Sequence, residues 1–135
     1  MLINFNKGET VSSKNSTPQM NFNGFYVSLN MITNKKLLLR IKQLINKAEP
    51  SATVILYGSH ARGQNKKHSD IDLLILVDND EVSYSDEQRI KYPLYDLEFE
   101  TGKVISPLVF SRKVWETRHT ITPLYKNVKK EGVHL

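Results

Sequence analysis

Leu56-Tyr57-Gly58-Ser59-His60-Ala61-Arg62-Gly63, followed after a polar gap by Ser69-Asp70-Ile71-Asp72-Leu73, is the stretch that decides the fold. The apolar run Thr53–Tyr57 leads into it and ends at a glycine, which marks a short buried strand. Ile71–Val77 is a second run, apolar on both faces beyond its first residues. A strand buried on both faces belongs to a sheet covered by helices. Side chains alternate along a strand, so Asp70 and Asp72 point to one face. Two neighbouring carboxylates raise each other's pKa unless a cation lies between them. Gly58 permits a close backbone approach, and the amides after it, with the Ser59 hydroxyl, suit phosphate oxygens. Hard oxygen ligands beside a phosphate-binding loop point to Mg²⁺ holding a nucleoside triphosphate.

Upstream, Leu37, Ile41, Leu44, Ile45 and Ala48 fall on one face of an amphipathic helix. Thr33 or Asn34 is its expected cap and Pro50 its stop. Downstream, Tyr84–Thr101 fits two periods. Ile90, Leu94 and Leu97 share a helical face, while Tyr95, Leu97 and Phe99 alternate with acids as in a strand. A helix, ended by Gly102, is favoured because it makes a crossover between two sheet strands. Val104–Phe110 reads as a third strand, with Pro107 pointing to an edge or a bulge. Arg112–Thr120 reads as a short helix and Thr122–Leu135 as a polar, basic tail, of which Thr122–Gly132 either packs back on the domain or meets an acceptor. The expected fold class is α/β, a small mixed β-sheet flanked by helices.

Residues 1–30 hold six Asn, four Ser and three charges, and follow no clear period. They read as an irregular N-terminal extension to a domain spanning 31–135. A chain of 135 residues suits one domain. There is no cysteine, which removes disulfides, thiolate metal sites and a cysteine nucleophile. Net charge is +5, compatible with an anionic partner, but the basic residues are scattered and no nucleic-acid arm stands out. No apolar run approaches the roughly 20 residues of a membrane span, and no signal peptide opens the chain. A soluble cytoplasmic protein is expected.

The two quoted segments resemble the nucleotidyltransferase superfamily of DNA polymerase beta and kanamycin nucleotidyltransferase. Within it they are most similar to the small bacterial MNT-type domains, whose pattern is Gly-Ser-x-x-x-Gly, a gap, then Ser-Asp-x-Asp. The motif covers Gly58–Asp72, with Arg62 and Ser69 matching the MNT-type form, and the compatible element order runs from about Thr33 to Phe110. The resemblance implies a minimal nucleotidyltransferase fold. It implies that Asp70 and Asp72 hold Mg²⁺ and are catalytic, and that Gly58, Ser59, Arg62 and Ser69 bind the nucleotide, with ATP the expected one. Arg62 either adds charge to that site or pairs with a nearby acid. The implied activity is transfer of a nucleoside monophosphate to an acceptor hydroxyl. The alternative is a catalytically weak or inactive nucleotide-binding module acting as antitoxin to a helical HEPN-type toxin.

One departure bears on activity. The superfamily usually carries a third carboxylate on the next strand, but Val104–Phe110 contains no acid and Ser106 stands at about that place. Asp96, Glu98 and Glu100 are the candidate substitutes, against the simpler expectation that they face solvent from a helix. His60, His68, His119 and His134 form no metal-binding spacing. His60 reads as a variable loop residue, Trp115 as a packing anchor, and Lys66-Lys67 as either a solvated loop or a steering patch.

Overall fold

A computed structural model describes the backbone from Asn23 to Leu135 and side chains from Asn34 onward. It divides after Leu38 into two compact units. In the first, the described part is the beginning of helix α1 (Asn23–Ala48), on which Leu37 is buried. The irregular extension expected over 1–30 therefore lies outside the described residues up to 22, and from Asn23 the backbone is helical. The helix begins well before the expected cap at Thr33 or Asn34. No proline interrupts 23–33, so nothing in the sequence forces a later start.

The second unit holds the rest of α1 and the sheet. Its elements are β1 (Thr53–Tyr57), α2 (Gly58–Ala61), β2 (Ile71–Val77), α3 (Tyr84–Thr101), β3 (Ile105–Ser111), α4 (Arg112–Arg118), α5 (Pro123–Glu131) and β4 (Val133–His134). The strands lie in the order β3-β2-β1-β4. β1 and β2 pair antiparallel, placing Tyr57 opposite Asp72, and β2 and β3 pair parallel, placing Asp72 beside Ser106. The sheet is thus mixed, with α3 as the crossover that a parallel pair requires.

One face of the sheet packs Ile55, Leu74 and Leu76 with Trp115 of α4 and Val128 of α5, with Tyr57, Leu108 and Phe110 around them. Trp115 stacks with Phe110 and His119, which makes it the anchor expected of it. Strand alternation puts Val54, Leu56, Leu73, Ile75 and Val77 on the opposite face, and all are buried. Ile41 and Ile45 of α1 and Ile90, Leu94 and Leu97 of α3 supply the remaining buried helical side chains.

Local chemistry sets the ends of α3. Ser83 and Asp86 form a reciprocal capping box, and Gly102 closes the helix in the left-handed region at φ 72°. Pro93 sits inside the helix, as the crossover reading requires. Pro107 lies on β3, an edge strand, where a missing N–H is tolerated. The polar tail is more ordered than its composition suggested. α5 is capped by Thr122 with Pro123 at its start, and β4 pairs with the free edge of β1, His134 against Ile55. Among the described residues, no helix is long and apolar enough to cross a membrane.

Candidate functional site

The motif residues converge at one end of the sheet. Asp72 is near the start of β2, between Tyr57 on β1 and Ser106 on β3, so these three side chains share a face. Asp70 precedes the strand, and the Ser106 hydroxyl donates to its Oδ2 at 3.3 Å. Burial, and then the Asp70 carboxylate, hold the Asp72 carboxyl above the usual carboxylate range, while His60 and Arg62 pull it back. Burial and the Asp72 charge likewise raise the Tyr57 phenol. The face therefore carries concentrated negative charge.

That donor set fits a hard divalent cation. It offers two carboxylates and a hydroxyl, all oxygen, and Mg²⁺ usually takes only one or two protein carboxylates, completing its shell with water and phosphate. Among the described residues no three His, Asp or Glu side chains gather around a common point. Glu98 accepts the Ile105 N–H at 2.6 Å and so holds the entry to β3. Glu100 pairs with Arg40 at 2.7 Å in solvent, and Asp96 is exposed. None of these three joins Asp70 and Asp72, because α3 directs them to its own neighbours and to water. Ser106 occupies the strand position beside Asp72.

Gly58 lies at φ 75°, a region that favours glycine, and a Cβ there would come within 2.5 Å of Asp72 Oδ2. The close approach that this glycine permits is thus to the Asp72 carboxylate. The glycine lets the Asp72 carboxylate lie against the turn. Its N–H donates to Glu131 Oε2 at 3.2 Å. Arg62 donates to the same oxygen from Nη1 at 2.8 Å and to Gln64 Oε1 from Nε at 2.9 Å. Of the two roles open to Arg62, pairing with an acid is what the geometry displays, and the acid is Glu131.

Ser59 follows Gly58 in the single turn of α2, and its carbonyl accepts the Gln64 N–H. The Ser69 hydroxyl accepts the Lys66 N–H at 2.7 Å, and the Ser69 carbonyl meets His60 Nε2 at 3.2 Å. Ser69 and His60 together fold the loop between α2 and β2 back over the turn, which places His60 in the site's electrostatics. Lys66 and Lys67 are both exposed on that loop.

Two contributors escaped sequence reasoning. His60 was inside the motif, but its contact depends on a loop whose shape the sequence did not reveal. Glu131 lies 73 residues from Gly58 in a basic segment. The signal available for it was a single acid among lysines at the end of an amphipathic turn.

No curated protein sequence matches the chain. Among solved structures, a crystal structure of a toxin–antitoxin with AMP-PNP is similar at 17% identity and TM-score 0.52, covering 75% of this chain and 71% of that one. A crystal structure of a mutant of the toxin–antitoxin MntA–HpeT is similar at 21% identity and TM-score 0.50, covering 71% of this chain and 68% of that one. At these identities the likeness concerns the fold. The sequence model of the nucleotidyltransferase domain matches residues 35–132, which includes every motif residue of the site and most of the chain, and this chain belongs to that family.

Proposed function

We propose that this chain binds ATP with Mg²⁺ and transfers its nucleoside monophosphate to a hydroxyl group, with a partner protein as the acceptor. The observation that carries the proposal is the placement of Asp70 and Asp72 on one face beside the Gly58–Ser59 turn, with Asp72 lying directly against Gly58. Mg²⁺ held there would neutralise charge on the triphosphate and on leaving pyrophosphate. The chain's own groups bind and orient. Asp70 and Asp72 supply the anionic oxygens, Ser59 and the turn's backbone face the phosphates, and Arg62 adds a fixed positive charge beside Asp72. Ser106 keeps Asp70 in place through its hydroxyl. A protein acceptor is supported by two similar structures, which are toxin–antitoxin assemblies.

A second reading rests on Ser106. With a hydroxyl where the superfamily usually has its third carboxylate, the described residues present no evident base for the attacking hydroxyl. It would then act by binding, as an antitoxin to a helical HEPN-type protein. Incubation of the full chain with Mg²⁺, labelled ATP and candidate acceptors, co-purified protein included, separates the two. Label on an acceptor supports the transferase. Nucleotide binding without transfer to any acceptor supports the binding module.

A further inference from the structure

Glu131 is the last residue of α5, where a carboxylate opposes the helix's own dipole. Its one oxygen Oε2 collects two donors from the β1–α2 turn, the Gly58 N–H at 3.2 Å and Arg62 Nη1 at 2.8 Å. The Glu131 side chain is 20% exposed and that of Arg62 43%, and an ion pair so open to water adds little to stability. Its effect is on orientation. A guanidinium is planar and carries five N–H donors in a fixed fork. Glu131 holds it at Nη1 and Gln64 at Nε, so its plane is set. Among the described residues no acceptor takes Nη2. Arg62 shares its Glu131 oxygen with the Gly58 N–H, and Gly58 lies against Asp72, so the fixed guanidinium is tied to the turn that meets the carboxylate pair.

We propose that Glu131 is a positioning residue of the nucleotide site, holding Arg62 so that its remaining N–H donors meet an anionic phosphate and tying the Gly58 turn to the C-terminal helix. The proposal rests on the reading of this face as a triphosphate site. It makes the segment α5–β4, which adds a strand to the edge of β1, part of the binding apparatus.

Double-mutant calorimetry on the full chain tests this, with Mg²⁺ and AMP-PNP as the probe and thermal unfolding as the fold control. Glu131→Ala and Arg62→Ala are each expected to weaken binding about tenfold, the scale of one charge-assisted hydrogen bond. The double variant should lose less than the product of the two single losses, because Glu131 acts in large part through Arg62. Glu131→Gln keeps an acceptor oxygen and should lose less affinity; it carries the comparison if the alanine variant does not fold. Wild-type affinity in Glu131→Ala, or losses that multiply in the double variant, would overturn the proposal. A lowered unfolding temperature with unchanged affinity would reduce Glu131 to a structural tether. Wild type failing to bind the probe would instead sink the reading of the site itself.

Discussion

Asp72 Oδ2 lies against the α-carbon of Gly58 so closely that a Cβ there would stand 2.5 Å from it. The glycine of the turn and the carboxylate of the strand are therefore a matched pair. The turn can bring its backbone beside the anionic face only because it lacks a side chain, and Asp72 can hold its position only while that side chain is absent.

Gly58→Ala should lose Mg²⁺-dependent nucleotide binding by tenfold or more, the order of one lost charged contact. Gly63→Ala is the control. Gly63 also has positive φ, at 69°, but a Cβ there meets nothing within 4 Å. Both substitutions strain the backbone by about 1–2 kcal/mol, so thermal unfolding should shift similarly. Calorimetry should show the affinity loss in Gly58→Ala alone. Equal losses would make the effect one of backbone strain and not of Asp72.

Asp72→Asn should stabilise the protein in metal-free buffer at neutral pH. The folded carboxyl is raised above its ordinary value, chiefly by burial and then by Asp70. A raised acid is fully compatible with the fold below the unfolded pKa, and its stability contribution is lost as pH rises through the window up to the folded value. The asparagine variant escapes that loss. The gain is small, because the pair is partly solvated, and should vanish in acid. An unfolding temperature below wild type across the whole pH range would contradict this.

Ser106→Asp should place a third carboxylate beside Asp72 and Asp70. If the attacking hydroxyl lacks only a base, transfer should rise by about 10²–10⁴-fold, the usual contribution of a general base. Turnover with labelled ATP reads this directly. No gain, with nucleotide affinity intact, would mean that the acceptor supplies the base or that the chain acts by binding.

Ser83→Ala should cost about 1 kcal/mol at neutral pH through loss of the α3 cap. The Ser83 hydroxyl and backbone, followed by Arg89, lower the Asp86 carboxyl to about 2. A depressed acid contributes stability above its unfolded pKa and loses it as pH falls through the folded value. Urea unfolding from neutral pH down towards the folded pKa should show the difference between variant and wild type shrinking as Asp86 protonates. A difference independent of pH would remove Asp86 from the cap.

The β1–α2–β2 core of the site was legible because its signals are local. Gly58 ends an apolar run, and Asp70 and Asp72 share the period of one strand. The crossover α3 was legible once the helical face Ile90–Leu94–Leu97 was weighed against alternation, and all three residues are buried. The C-terminal segment was not. α5 is short and buries only Val128, and β4 is two exposed residues long, so neither shows in the sequence where it packs. Glu131 was hidden for the same reason. Its partners lie across the chain and are brought to it by edge pairing that no local period records. The packing of Asp72 on Gly58 was half legible: the glycine signalled a close approach, but not what approached.

The central claim is that Asp70 and Asp72 form a Mg²⁺-dependent nucleotide site, and titration calorimetry of the full chain with ATP tests it most directly. Wild type should bind ATP with Mg²⁺ and bind it far more weakly with EDTA in place of the metal. Asp70→Asn, which removes one charged ligand while leaving the fold intact by thermal unfolding, should abolish most of that metal dependence. Equal affinity in wild type and Asp70→Asn, or binding indifferent to Mg²⁺, would contradict the account.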